Sequence, residues 1–283
     1  MHILIDDFLS YHVTASRLCR LIPNCSYSTE PGQTKLHIGV FDMHKLIKIH
    51  RADVWWDDSP YNMFRCVDGH VAISPYAHDV YTSLCKRKPL GIVPRPIPSS
   101  FFEQPKRSRP KYLMLYSINP REGRKGDDII FMIRRELKRL AEKLSLQILC
   151  KIGRMEPPYL DICDVVVANA DENTMMKMYN ESVLLFPSKS EGLGMPIYES
   201  LAAGGVVVVP DAEYVRGYLD GYPHKFKAVP VKTVMGTLFY PADFSDILNA
   251  VEIATRDWGE YRNYAEVMRD KYVVDEILGL VFS

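Results

Sequence analysis

Short apolar runs alternate with stretches of helical spacing along most of this chain. In the first part, the runs at 2–5, 35–40, 52–56 and 70–74 read as strands, and helical patterns fall at 14–21 and 76–85. The first strand ends in Asp6-Asp7, and the run at 52–56 ends in Asp57-Asp58-Ser59-Pro60. Residues 91–98 are proline-rich. Arg95-Pro96-Ile97-Pro98 cannot continue a helix, because proline lacks an N–H and disfavours helical backbone at the residue before it. This segment reads as the exit from a first domain, with a polar, basic linker at 105–110.

The second part alternates more cleanly. Strands are predicted at 112–116, 146–152, 164–168, 183–186 and 206–209. Helices are predicted at 127–144 and 172–180, and a further one opens near Pro196 and stops at Gly204. Late helices are expected at 244–255 and 258–272, with 273–282 as a candidate third. Such alternation predicts parallel sheets with helices on both faces. With 283 residues, two doubly wound domains around a cleft fit the length. In such sheets, ligands bind at the carboxyl ends of the strands.

Composition narrows this picture slightly. A hydrophobic content of 47% supports real cores, and 25% charged residues is ordinary for a soluble protein. The formal net charge is zero, so overall charge gives no reason to expect a nucleic-acid partner. Lys86-Arg87-Lys88 and Lys106-Arg107 with Arg109 and Lys111 form local basic clusters, read as solvated loops or as a peripheral contact with anionic lipid headgroups. Cys19, Cys25, Cys66, Cys85, Cys150 and Cys163 show no C-x-x-C spacing, and several stand in apolar stretches. They read as reduced core residues of a reducing compartment. Asp6 and Asp7 interrupt the N-terminal apolar run, so no signal peptide is expected and a cytoplasmic location follows.

The most informative segment is Pro187-Ser188-Lys189-Ser190-Glu191-Gly192-Leu193-Gly194-Met195-Pro196, followed by Glu199. It runs from a predicted buried strand through a glycine-containing loop into a helix. Backbone N–H groups at a helix start are unpaired and favour an anion. Carboxylates on either side can accept hydrogen bonds from hydroxyls. The pattern suits a ligand with phosphates in the middle and sugars at both ends.

Seven residues separate Glu191 from Glu199. This spacing, after Pro-Ser and before Ala-Ala-Gly, resembles the Glu-x7-Glu motif of retaining GT-B glycosyltransferases, especially the GT4 family. The resemblance covers most of 91–283 and is thinner before that. It implies a GT-B fold of two doubly wound Rossmann-like domains facing a central cleft. The first, at 1–104, lies on the acceptor side; the second, at 105–260, binds the nucleotide sugar. The helices at 261–283 pack back toward the first. Lys125-Gly126 is similar to the family's lysine loop, which implies that Lys125 binds the donor diphosphate. The arginine that accompanies it in the family has no clean counterpart, since Ile118 occupies its spot, and Arg121 or Arg124 could substitute. Gly153 resembles the glycine-rich turn after the next strand. Asn169 falls where the family packs the donor base. Gly192, Leu193, Gly194 and Met195 form the loop and helix start. Ser74, followed by an aromatic residue and a helix, resembles a strand-to-helix junction of the first domain.

These likenesses imply a retaining transferase that moves a sugar from a nucleotide diphosphate sugar to a glycan, lipid-linked or protein hydroxyl. Glu191 would orient the transferred sugar and Glu199 the ribose. The family needs no cofactor and usually no metal, so neither Asp6-Asp7 nor Asp57-Asp58 is assigned to one. Asp57 is the candidate from the first domain to contact donor sugar or acceptor, in place of the histidine many relatives carry; His12 and His70 are the nearest alternatives. The loop Ser10-Tyr11-His12-Val13 lacks the glycines common in the family. A nucleotide-sugar-binding protein without transfer activity is the competing reading, and a GT-B epimerase ranks behind it.

Overall fold

The computed structural model describes residues 1–5, 9–29, 34–39, 52–57, 66, 68–117, 123–153, 155–233 and 236–282. Its backbone builds two parallel sheets. In the first, β1 (His2–Ile5), β2 (Ser26–Ser28), β3 (Thr34–Gly39), β4 (Ala52–Asp57), β5 (His70–Ala72) and β6 (Gly91–Ile92) lie in the order β2-β1-β3-β4-β5-β6. Helices α1 (Leu9–Leu21) and α2 (Pro75–Cys85) belong to this half, and the short α3 (Ser99–Phe102) leads out of it.

The second sheet holds β7 (Tyr112–Ser117), β8 (Gln147–Ile152), β9 (Val165–Val167), β10 (Ser182–Leu185), β11 (Val206–Pro210) and β12 (Lys225–Phe226). Their order is β12-β11-β10-β7-β8-β9. The direction of winding reverses between β7 and β10, which pair in register Leu113 with Val183. A crevice opens at the carboxyl ends of strands at such a reversal. Helices α4 (Asp127–Lys143), α5 (Glu172–Asn180), α6 (Met195–Ala203) and α7 (Phe244–Arg256) cover the sheet.

Side-chain alternation explains why these runs are apolar throughout. Leu113, Leu115, Val183, Leu185, Val206 and Val208 pack with Ile133 and Leu137 of α4 and Val251 of α7. The intervening Met114, Leu184, Val207 and Val209 face the other way, against Tyr198 and Leu201 of α6. Both faces of each strand are thus covered, so period-two polarity disappears. The second of these clusters continues through Ile97 and Phe101 into Ile3, Leu36 and Val71 of the first half.

The C-terminal segment returns to the first half. Ile97 N–H donates to Met268 O at 2.7 Å, and Asp270 N–H donates to Ile97 O at 2.9 Å. The Asp270 carboxylate accepts from the Ser99 hydroxyl at 2.8 Å. Helix α8 (Asp270–Phe282) then packs on α1 and β4. The helix expected at 258–272 is instead a 3₁₀ turn at Arg262–Met268, followed by α8. The guanidinium of Arg262 donates to Ala202 O at 3.1 Å and to Gln104 O at 2.6 Å, placing a cation at the C-terminal end of α6.

Two further features depart from the sequence reading. An antiparallel hairpin, β13 (Ala228–Thr233) and β14 (Gly236–Pro241), follows β12. Residues 229–233 are all exposed, so no buried face imposed an alternating pattern. The cysteines are also not reduced: Cys19–Cys25, Cys66–Cys85 and Cys150–Cys163 are disulfides. The expectation rested on missing C-x-x-C spacing and on apolar surroundings, whereas the fold brings the paired Cα atoms to 4.9, 5.3 and 5.8 Å, within bridging reach. The cysteine argument for a reducing compartment therefore falls. Among the described residues, no helix is long and apolar enough to cross a membrane.

Candidate active site

Two loops meet beyond the carboxyl ends of β7 and β10. Gly126 takes a left-handed φ of 81°, and a Cβ there would stand 2.2 Å from Pro187 O. Glycine is therefore required for backbone geometry and for close approach alike. Lys189 N–H donates to Arg124 O at 2.8 Å, stitching the loops together. Tyr214, buried below, donates its hydroxyl to Ser188 O at 2.6 Å. The Lys189 ammonium bonds the Asp128 carboxylate at 2.7 Å and lies 4.7 Å from the Tyr240 ring, so the hairpin braces the same loop.

Glu191 is at the centre of this contact and only 6% exposed. Its Oε1 accepts from Lys125 Nζ at 2.6 Å and from the Ser188 hydroxyl at 2.5 Å, and its Oε2 accepts from Lys125 Nζ at 2.8 Å. Arg124 Nη1 donates to Ser190 O at 2.7 Å and approaches Glu191 Oε2 at 3.4 Å. Burial works to raise the Glu191 carboxyl. The charges of Lys125 and Arg124, with hydrogen bonds from Lys125 and Ser188, outweigh it and hold the carboxyl below its ordinary range. Just beyond, Asp127 is buried and accepts from the Tyr159 hydroxyl at 2.9 Å, which anchors the start of α4. Burial pushes the Asp127 carboxyl up despite the bond from Tyr159.

Helix α6 starts at the same place. Gly194 is its N-cap, with φ 80° and no side chain to occupy the first N–H groups. Gly192 and the buried Leu193 lead into it, and Met195 and Pro196 form its first turn. Glu199 lies one turn on. Its Oε1 accepts from Arg17 Nη2 at 2.8 Å, and its Oε2 is 3.5 Å from the Tyr179 hydroxyl. Arg17 belongs to α1, so this contact joins the two halves. Ser74 makes another, donating to Gly192 O at 2.7 Å while accepting from Ala77 N–H at 3.1 Å as the N-cap of α2.

The structure thus brings together Glu191, Lys125, Arg124, Gly192, Leu193, Gly194 and Met195, with Glu199 at the next turn. Gly153 follows β8, its N–H donating to Ser117 O at 2.8 Å. Asn169 is exposed beyond β9, and the carbonyl before it, Ala168 O, accepts from Lys151 Nζ at 2.8 Å. Arg121, the Asp58 residue and the side chain of Asp57 lie outside the described residues; the backbone of Asp57 pairs with Gly39 and Ala72. His70 is buried in the first half, stacked on Tyr81 at 3.9 Å, and His12 meets Tyr27 edge-on at 6.1 Å. Sequence reasoning missed Arg17. Its signal was a cation in register with the buried Thr14 and Leu18 of one helix face.

Two Rossmann-like sheets joined through 97–105, with a C-terminal helix returned to the first, define the GT-B fold. Solved glycosyltransferases of that fold superpose on the chain. TarM matches with a TM-score of 0.61 at 10% identity, over 88% of this chain and 55% of TarM. The pneumococcal O-GlcNAc transferase GtfA, solved with UDP and GlcNAc, matches at 0.51 and 13% identity, over 88% of this chain and 45% of GtfA. WaaG, a glycosyltransferase involved in lipopolysaccharide biosynthesis, matches at 0.53 and 14% identity, over 96% and 81%. The chain spans about half the length of TarM and GtfA. At such identities the likeness establishes the fold. No family profile and no curated protein matches the chain.

Proposed function

We propose that this protein is a retaining, metal-independent glycosyltransferase that uses a nucleotide diphosphate sugar and a hydroxyl acceptor. The observation that carries this reading is the convergence of Lys125, Arg124, Glu191 and the glycine-capped start of α6 where the second sheet reverses its winding. Bond cleavage builds positive charge at the anomeric carbon and negative charge on the departing diphosphate. Lys125, Arg124 and the helix N-terminus oppose the second charge, so none need come from a divalent ion. Glu191, kept ionised, accepts hydrogen bonds from hydroxyls of the transferred sugar. Glu199 accepts from the ribose. Asp57 is the proposed contribution of the first half, and Gly153 and Asn169 border the base.

The test is incubation of the purified chain with UDP-, GDP- and ADP-sugars, following nucleotide release with and without chelator. NMR, recorded before mutarotation, then reads the anomeric configuration of the sugar released to water. Release unaffected by chelator, with configuration kept, is expected. Inverted product overturns the retaining assignment, and activity restored only by Mn²⁺ overturns metal independence. Binding without any release would favour the non-catalytic reading. On the acceptor side, Lys86, Arg87 and Lys88 stand between exposed Leu84, Leu90 and Ile92, which supports peripheral contact with anionic lipid. Co-sedimentation with anionic but not neutral vesicles is the expected result.

A further inference from the structure

We infer that Arg17 is a positioning residue that fixes the carboxylate of Glu199 from the opposite half of the molecule. The inference rests on the proposed role of Glu199 at the ribose. Arg17 is itself held: it is 5% exposed, and its Nη1 donates to Pro96 O at 3.0 Å. Its guanidinium carbon lies 5.8 Å from the Phe101 ring centre. Pro96 and Phe101 belong to the segment that leaves the first half, so the guanidinium is anchored at the junction. From there Nη2 reaches Glu199 Oε1 at 2.8 Å.

The surroundings make this cation necessary. Glu199 faces Tyr179 of α5 and Tyr116 of β7. Burial, and then the charge of Glu199, raise both phenols, so they remain neutral and cannot balance a carboxylate. Glu191 adds to the same negative field at Tyr116. Glu172 Oε2 lies 3.6 Å from Arg17 Nε and 3.0 Å from Arg20 Nη2, bringing a second carboxylate to the seam. Without Arg17, Glu199 would share a largely buried site with phenols and a like charge.

An ionised carboxylate only accepts hydrogen bonds, and it has about four lone-pair sites. Arg17 occupies one of them. Two ribose hydroxyls can therefore bind Glu199 while the guanidinium stays in place. Arg17 thus serves the ribose site without touching the nucleotide, and it makes that site depend on contact between the halves.

The experiment measures UDP binding by calorimetry, with GDP and ADP in parallel, for wild type, Arg17→Met and Arg17→Lys. Thermal stability is recorded beside each. Arg17→Met is expected to weaken binding about tenfold. Arg17→Lys, which keeps the positive charge, is expected to fall between Arg17→Met and wild type. If Arg17→Met does not fold, Arg17→Lys decides: weaker binding supports the inference, and unchanged binding overturns it. Lower thermal stability with unchanged affinity would reduce Arg17 to a structural residue and overturn the inference. Tighter binding would show that Arg17 competes with the nucleotide, and would overturn it too. Wild type that binds none of the three nucleotides would overturn the proposed function and this inference with it.

Discussion

The two halves of the molecule serve the site in different ways. In the second half, charges are balanced within one sheet edge: Glu191 is met by Lys125 at 2.6 Å and by Ser188 at 2.5 Å. The first half reaches the same segment through separate contacts, Ser74 on Gly192 O at 2.7 Å and Arg17 on Glu199 at 2.8 Å. Two glutamates of one motif therefore have different dependencies. One is held by partners of its own half. The other needs its partner from across the seam. Motif spacing sets where a carboxylate stands, while the counter-charge sets what state it is in, and the counter-charge can come from a distant part of the chain.

The largest expected effect comes from breaking the local arrangement. Lys125→Met removes the proposed phosphate cation and leaves Glu191 with Arg124 at 3.4 Å and Ser188. Transfer is expected to fall about 10²-fold to 10³-fold. Stability should fall by about 3 kcal/mol, because a buried carboxylate loses its main partner. Adding Glu191→Gln should restore much of the stability and none of the activity, as measured by denaturant titration and turnover. Full turnover in Lys125→Met would break the assignment. An unchanged stability would mean that Arg124 and Ser188 suffice for Glu191.

The same contrast governed what could be read from sequence. The second half was legible because its strands are covered on both faces, so 183–186 and 206–209 stand out as unbroken apolar runs. Its site was legible because Lys125, Glu191, Gly194 and Glu199 lie in two short segments with recognisable spacing. The hairpin β13–β14 was not, since exposed Val229, Pro230, Val231 and Lys232 carry no burial pattern. Nor were the disulfides, because pairing of Cys66 with Cys85 depends on the chain path rather than on spacing. Arg17 escaped for a related reason. An arginine in an amphipathic helix reads as a surface cation until its partner, 182 residues away, is known.

A smaller effect should separate the halves by pH. His70 in the first half is buried against Tyr81, and burial, with the nearby His78 charge, lowers it from 6.5 to about 4. Its folded value lies below its unfolded one. The unfolded chain therefore takes up a proton as pH falls from 6.5 toward 4, and the folded chain does not. Stability from this group is complete above 6.5 and is lost across that window. The loss is at most about 3 kcal/mol. His70→Phe keeps a flat ring for the stack and removes the proton site, so its stability should change less over the same pH range. Equal acid sensitivity in the two proteins would place the titrating group elsewhere, with His224 of the second half, which burial also lowers from 6.5, as the next candidate.

The smallest effect tests whether the contact of Ser74 matters to the loop before α6, the proposed donor loop, or only to its own helix. Its hydroxyl accepts from Ala77 N–H as a cap and donates to Gly192 O as a link. Ser74→Ala loses both, and should cost about 1 kcal/mol of stability. Ser74→Gly also loses the link, but glycine is a tolerable N-cap, so stability should drop only by about a few tenths of a kcal/mol. If the link steadies Gly192, the two variants should weaken UDP binding alike, by about threefold, despite their unequal stabilities. If UDP affinity instead follows stability, with Ser74→Gly close to wild type, the hydroxyl serves the helix alone. The first half would then hold the donor segment through Arg17, and the division between a self-contained carboxylate and a borrowed one would rest on that single ion pair.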